Sequence, residues 1–147
     1  SVIAPTTQPR IINRMSIGDM GTIPADPTVP KIPTKDLTAL YHEVYRKDID
    51  SRELVTDGAN NFCRFTTHFN STNVPLSAYA SVQPRINEVG LVLINPLSVR
   101  GMERAAVSAP DVPSPDEVLL SIRCFKSIPF EIANDVTVTI RYTIYME

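Results

Sequence analysis

The segment DVTVTIRYTIYME, residues 135–147, alternates apolar and polar side chains without a break. Val136, Val138, Ile140, Tyr142, Ile144 and Met146 share one parity. Thr137, Thr139, Arg141, Thr143 and Tyr145 share the other. A strand sends successive side chains to opposite faces, so this pattern predicts a strand with one buried and one wetter side. A helix would scatter the same apolar residues around its axis. Val, Ile, Thr and Tyr also fit a pleated surface.

Two further segments carry the strand period. In NFCRFTTHFN, 61–70, Cys63, Phe65, Thr67 and Phe69 alternate with Phe62, Arg64, Thr66 and His68. In VLLSIRCF, 118–125, Val118, Leu120, Ile122 and Cys124 alternate with Leu119, Ser121, Arg123 and Phe125. VGLVLIN, 89–95, is a continuous apolar run of strand length, as expected where both faces are buried. Residues 71–88 read as a loop or irregular strand, and 97–108 as a strand or a helical turn. Asn70-Ser71-Thr72 reads as a turn, because Asn and Ser bond their own backbone.

One helix is predicted, over 35–47. Leu37, Leu40, Tyr41, Val44 and Tyr45 recur at helical spacing, with Thr34 or Asp36 as cap and Arg46 and Lys47 at the negative end of the dipole. The chain holds 13 Pro against 5 Gly. Proline cannot donate to a ladder, so the stretches that contain it are connections or turns. Six prolines fall in residues 1–33, a stretch that also carries Ile11, Ile12, Met15, Ile17, Met20 and Ile23 between polar residues. These apolar residues are foreign to a flexible linker. The reading is an extended arm over 1–33, lying on this domain or on a neighbouring subunit, ahead of a single domain over 34–147. An ordinary tail with chance apolar content is the plainer alternative.

At 147 residues and 43% apolar content the chain suits one domain with a real core. The first fifty residues hold six Lys/Arg and six Asp/Glu, so no basic arm is present to neutralise phosphates. No apolar run approaches a membrane span, and no signal-peptide pattern opens the chain. Cys63 and Cys124 read as reduced, buried thiols in a reducing compartment. A disulfide requires their strands to be neighbours, and no metal-ligand spacing accompanies them. His42 and His68 have no ligand or nucleophile cluster near in sequence. Asp48, Asp50, Glu53 and Asp57 read as a solvated acidic loop, since Gly58 is misplaced for a calcium loop. A divalent ion shared between subunits is the minor option. No catalytic motif, cofactor-binding pattern or small-molecule site emerges, so the expectation is a non-enzymatic protein.

Ten residues separate strand 118–125 from strand 136–146. Long returns of this kind belong to Greek-key sandwiches and jelly rolls. The fold class expected is therefore all-β, an antiparallel jelly-roll-like sandwich with an extended N-terminal arm and one short helix. The stretch VLLSIRCFKSIPFEIANDVTVTIRYTIYME, 118–147, resembles the last two strands of a single jelly-roll coat protein of small icosahedral RNA viruses. The absence of a basic arm directs the resemblance to picorna-like families and away from direct genome binding. It implies a structural subunit that assembles in the host cytoplasm into a virion with other coat subunits. Candidate subunit contacts are Ile11, Ile12, Met15, Ile17 and Ile23. The ends, Ser1 and Glu147, match a polyprotein junction cut between Glu or Gln and Ser, as proteases of such viruses prefer; a trimmed expression product or a removed initiator Met is the other reading. The alternative function is a protein- or glycan-binding adaptor or matrix-type sandwich module.

Overall fold

The structure is a computed structural model that describes residues 11–94, 104–105 and 117–146. Among these residues ten strands follow in order: β1 (Ile11–Gly18), β2 (Thr22–Ile23), β3 (Asp26–Pro30), β4 (Glu43–Asp48), β5 (Ser51–Asp57), β6 (Asn60–Asn70), β7 (Arg85–Ile94), β8 (Arg104–Ala105), β9 (Glu117–Pro129) and β10 (Thr137–Met146). They form a five-stranded sheet, β8-β4-β1-β7-β9, and a three-stranded sheet, β10-β6-β5. Every pairing is antiparallel. The β2-β3 hairpin stands apart and packs on β9. The chain is thus an all-β antiparallel sandwich.

The alternation read from the sequence becomes the two faces of the smaller sheet. Phe65, Thr67 and Phe69 of β6 and Tyr142 of β10 are buried toward the larger sheet. In register they pair across the sheet, Phe65 with Tyr142 and Phe69 with Val138. The larger sheet answers with Met15, Ile17, Tyr45, Val89 and Leu91. Phe69 meets Tyr45 edge-on, with ring centroids 6.4 Å apart. Each fully buried side chain of this size contributes roughly 1.5–3 kcal/mol.

The sheets are joined at a sharp corner. Two residues link β4 to β5, and each serves a different sheet. Ile49 N donates to Asn13 O of β1 at 2.8 Å, and Asp50 N donates to Thr66 O of β6 at 3.0 Å. β5 then returns as β6 through Gly58-Ala59. Gly58 has φ of 61°, the positive value that a tight hairpin wants at its first central residue. β9 and β10 lie in different sheets, so the long return between them is a crossing from one layer to the other. After β6, Asn70 caps a short 3-10 turn over Ser71–Asn73, accepting from Thr72 N at 2.9 Å, which is the turn expected there.

Three expectations are corrected. No helix forms over 35–47. Residues 43–48 are β4, whose Tyr45 and Arg46 pair with Ile17 and Ser16 of β1. Residues 31–42 run without an α-helix, with a turn at Lys35–Asp36, and lay Leu40 over Gly90. The helical spacing arose because a bulge between β1 and β4 lets Val44 and Tyr45 both join the core. The boundary at residue 33 also moves, because β1 is an interior strand between β4 and β7. The acidic segment around Glu53 is not a loop but the hairpin strand β5, fully registered on β6. Residues 1–10, most of 97–108 and the proline segment 109–115 lie outside the described residues.

Candidate functional site

Two buried polar clusters and three exposed surfaces stand out. The first cluster gathers at the end of β1, where Gly18 gives way to a bend. Asp19 is fully buried. Its Oδ1 lies 2.7 Å from His42 Nδ1, and its Oδ2 accepts from Ala80 N at 2.8 Å and Ser81 N at 3.0 Å. Glu88, also fully buried, accepts from Tyr41 N at 2.7 Å and from Met20 N and His42 N at 3.0 Å each. Burial pushes the Glu88 carboxyl pKa up; the three N–H groups offset this only in part, and Asp19 nearby adds to it. Asn87 completes the cluster, accepting from Gly21 N at 2.6 Å and donating to Asp19 O at 3.2 Å.

An Asp-His pair of this kind orients an imidazole, which acid–base chemistry would need. Here the imidazole bonds no hydroxyl or thiol among the described residues. The cluster instead anchors three irregular segments, 19–21, 41–42 and 80–81, on β7. Side-chain acceptors satisfy backbone donors that have no ladder partner.

The second cluster lies on the face of the larger sheet turned away from the core. Arg14 Nη1 donates to Glu117 Oε1 at 2.7 Å, and Arg46 Nη1 lies 2.9 Å from the same oxygen. Arg46 Nη2 meets Glu43 Oε1 at 2.6 Å, and Arg14 Nε meets Asp48 Oδ1 at 3.3 Å. Arg14, Arg46, Glu43 and Glu117 are all buried. Burial works against the Arg46 charge, but Glu43 and Glu117 outweigh it and hold the guanidinium protonated. The sequence reading missed this network. Its one local signal is a single arginine, Arg14, inside an apolar stretch, as in IINRMSIG. The partners are too remote to find, Glu117 lying 103 residues from Arg14.

Of the expected subunit contacts, Met15 and Ile17 are 0% exposed and belong to the chain's own core. Ile12 is half-buried against it. Only Ile11 (41% exposed) and Ile23 (37%) present substantial surface. Met15 and Ile17 are corrected for the reason that moved the boundary: β1 needs both flanking strands for its backbone bonds. His42 sits in the first cluster rather than on a helix. His68 is exposed on the outer face of β6, its Nδ1 2.8 Å from Thr139 Oγ1. Cys63 lies on β6 and Cys124 on β9, in different sheets, and both are free thiols. Burial, with Glu88 nearby, pushes the Cys124 pKa up to about 11.

The exposed surfaces are the free edge of β10, the tip of the β5-β6 hairpin and a cleft around Arg85. Among the described residues β10 pairs on one side only. Its inner residues Val138, Ile140 and Ile144 are only half-buried, and Tyr145 on the outer face is 73% exposed, its ring tilted against Phe62 at 4.5 Å between centroids. No family model matches the chain, and no curated protein sequence matches it. Among the described residues no helix is long and apolar enough to cross a membrane, and no group of three or more His, Cys, Asp or Glu could hold a metal.

Proposed function

We propose that the chain is a structural coat subunit that associates with copies of itself, or with other coat subunits, into a closed shell, assembled in the host cytoplasm as part of a virion. The observation that carries this reading is the edge of β10. Natural sheets guard open edges with Pro, Lys, bulges or inward charges. β10 has none of these over Thr137–Tyr145; its only charge, Arg141, is on the outer face, and the register with β6 is unbroken. Its inner face carries apolar side chains that the larger sheet covers only in part. Such an edge asks for a partner. The opposite edge of the same sheet, β5, is guarded by Arg52, Glu53 and Asp57.

The sandwich form supports the same reading. A rigid two-layer body with short corners makes a wedge whose ends and edges are set at fixed angles. Many modest contacts between such wedges give a cooperative shell. The adaptor or matrix-type alternative expects a stable monomer. Sedimentation and electron microscopy across rising protein concentration separate the two. Discrete oligomers or closed particles are expected. Single molecules at every concentration would overturn the coat reading.

A further inference from the structure

The two ends of the sandwich carry complementary features. At one end Arg85 opens β7 and stands between two adjoining clefts of about 350 and 670 Å³, which share Gln83 and Arg85. Pro27, Pro84 and Pro129 wall the first cleft with rigid apolar rings. Val82 stands fully exposed at the second. The Nε of Arg85 is buried without a hydrogen-bond partner, and its guanidinium forms no ion pair among the described residues. Glu131 also faces the first cleft, but its Oε2 is engaged by Asn134 at 2.9 Å.

At the opposite end the β5-β6 hairpin projects beyond the larger sheet. Residues 51–54, 56 and 57 of β5 are exposed, and so are Asn60 and Asn61. Leu54, three residues before Asp57, is 67% exposed although it points to the inner side, paired with Cys63. Asp57 at the turn has no partner among the described residues. The two ends are far apart. β6 runs from the hairpin turn to Asn70, and its eleven residues span about 33 Å at roughly 3.3 Å per residue. Its far end meets Thr137 and Ser71–Val136, beside the strand end that supplies Pro129. Within one copy Asp57 therefore cannot reach Arg85.

We infer that the hairpin tip of one copy docks in the Arg85 cleft of the next, Asp57 pairing with Arg85 and Leu54 lying against the proline wall. This rests on the coat reading and deepens it by naming the contact. A guanidinium that has no ion-pair partner takes a carboxylate with directional, charge-assisted bonds. A contact between different surfaces is heterologous. It closes into rings where the rotation allows and otherwise runs on as a filament.

Charge reversal and mixing provide the test. Asp57→Arg alone sets Arg against Arg85, and Arg85→Glu alone sets Glu against Asp57. Each variant by itself is expected to need at least about tenfold more protein to assemble than the wild type. An equimolar mixture restores both contacts, because each variant supplies what the other lacks, and assembly at the wild-type concentration is expected. If both folded variants assemble like the wild type, or if the mixture stays unassembled, the docking pair is overturned while the coat reading stands. If the wild type itself never assembles, both fall. Should Arg85→Glu fail to fold, the neutral pair Asp57→Asn and Arg85→Gln carries the test. Each should raise the threshold, and the double variant should raise it no further; additive effects would refute the pairing.

Discussion

Gly18→Ala reverses the usual sign of a glycine replacement. In an open extended position this change stabilises by about 0.4–1 kcal/mol, because the unfolded chain loses freedom. At Gly18 a Cβ would overlap the His42 carbonyl oxygen and come within 2.5 Å of Glu88 Oε2 and 2.7 Å of Glu88 Cδ. Non-bonded heavy atoms rest at about 3.5 Å or beyond, so Glu88 would have to retreat by about 1 Å. It is held by three backbone N–H groups at 2.7 to 3.0 Å, which would lengthen past bonding distance. Losing one or two hydrogen bonds to a charged group costs about 1.5–3 kcal/mol each. The net expectation is a loss of about 2–4 kcal/mol. With a urea slope of about 2 kcal/mol/M, the unfolding midpoint should fall by about 1–2 M, read by circular dichroism. Gly58→Ala is the control. Nothing lies within 4 Å of its Cβ position, and only its φ of 61° resists, at about 1–2 kcal/mol. An unchanged or raised midpoint for Gly18→Ala would refute the close approach of β1, Glu88 and His42.

Glu117→Ala should destabilise by about 3–5 kcal/mol, because it leaves Arg14 and Arg46 buried with less compensation. Glu53→Ala, which breaks an exposed pair with Arg64 at 3.1 Å, should cost under about 1 kcal/mol in the same urea titration; similar losses for the two would contradict the burial assigned to the network. Cys124 in a Cys63→Ser background should alkylate with a midpoint near pH 11, and a midpoint in the ordinary thiol range would remove the burial argument. Its folded pKa lies above the unfolded one. Its contribution to stability is therefore complete below the ordinary thiol range and is lost as pH rises toward about 11.

What the sequence determined by itself is what a strand writes locally. β6, β7, β9 and β10 were legible because alternation and apolar runs depend only on which way successive side chains point. Even there the ends shifted: β7 begins at Arg85 and β9 reaches Pro129, since Arg85 and Pro129 pair with each other. The same local logic misled at 35–47. Glu43 and Arg46 stand three apart, and the apolar residues repeat every three to four, as on a helix. In the fold that pair bonds across a bulged strand, and Arg46 is tied to Glu117 far along the chain. β1 looked like an arm because its partners, β4 and β7, lie about 25 to 80 residues away in sequence. Whether a short apolar segment is an arm, a helix or an interior strand is decided by which backbone donors and acceptors reach it, and only the assembled tertiary structure brings those together.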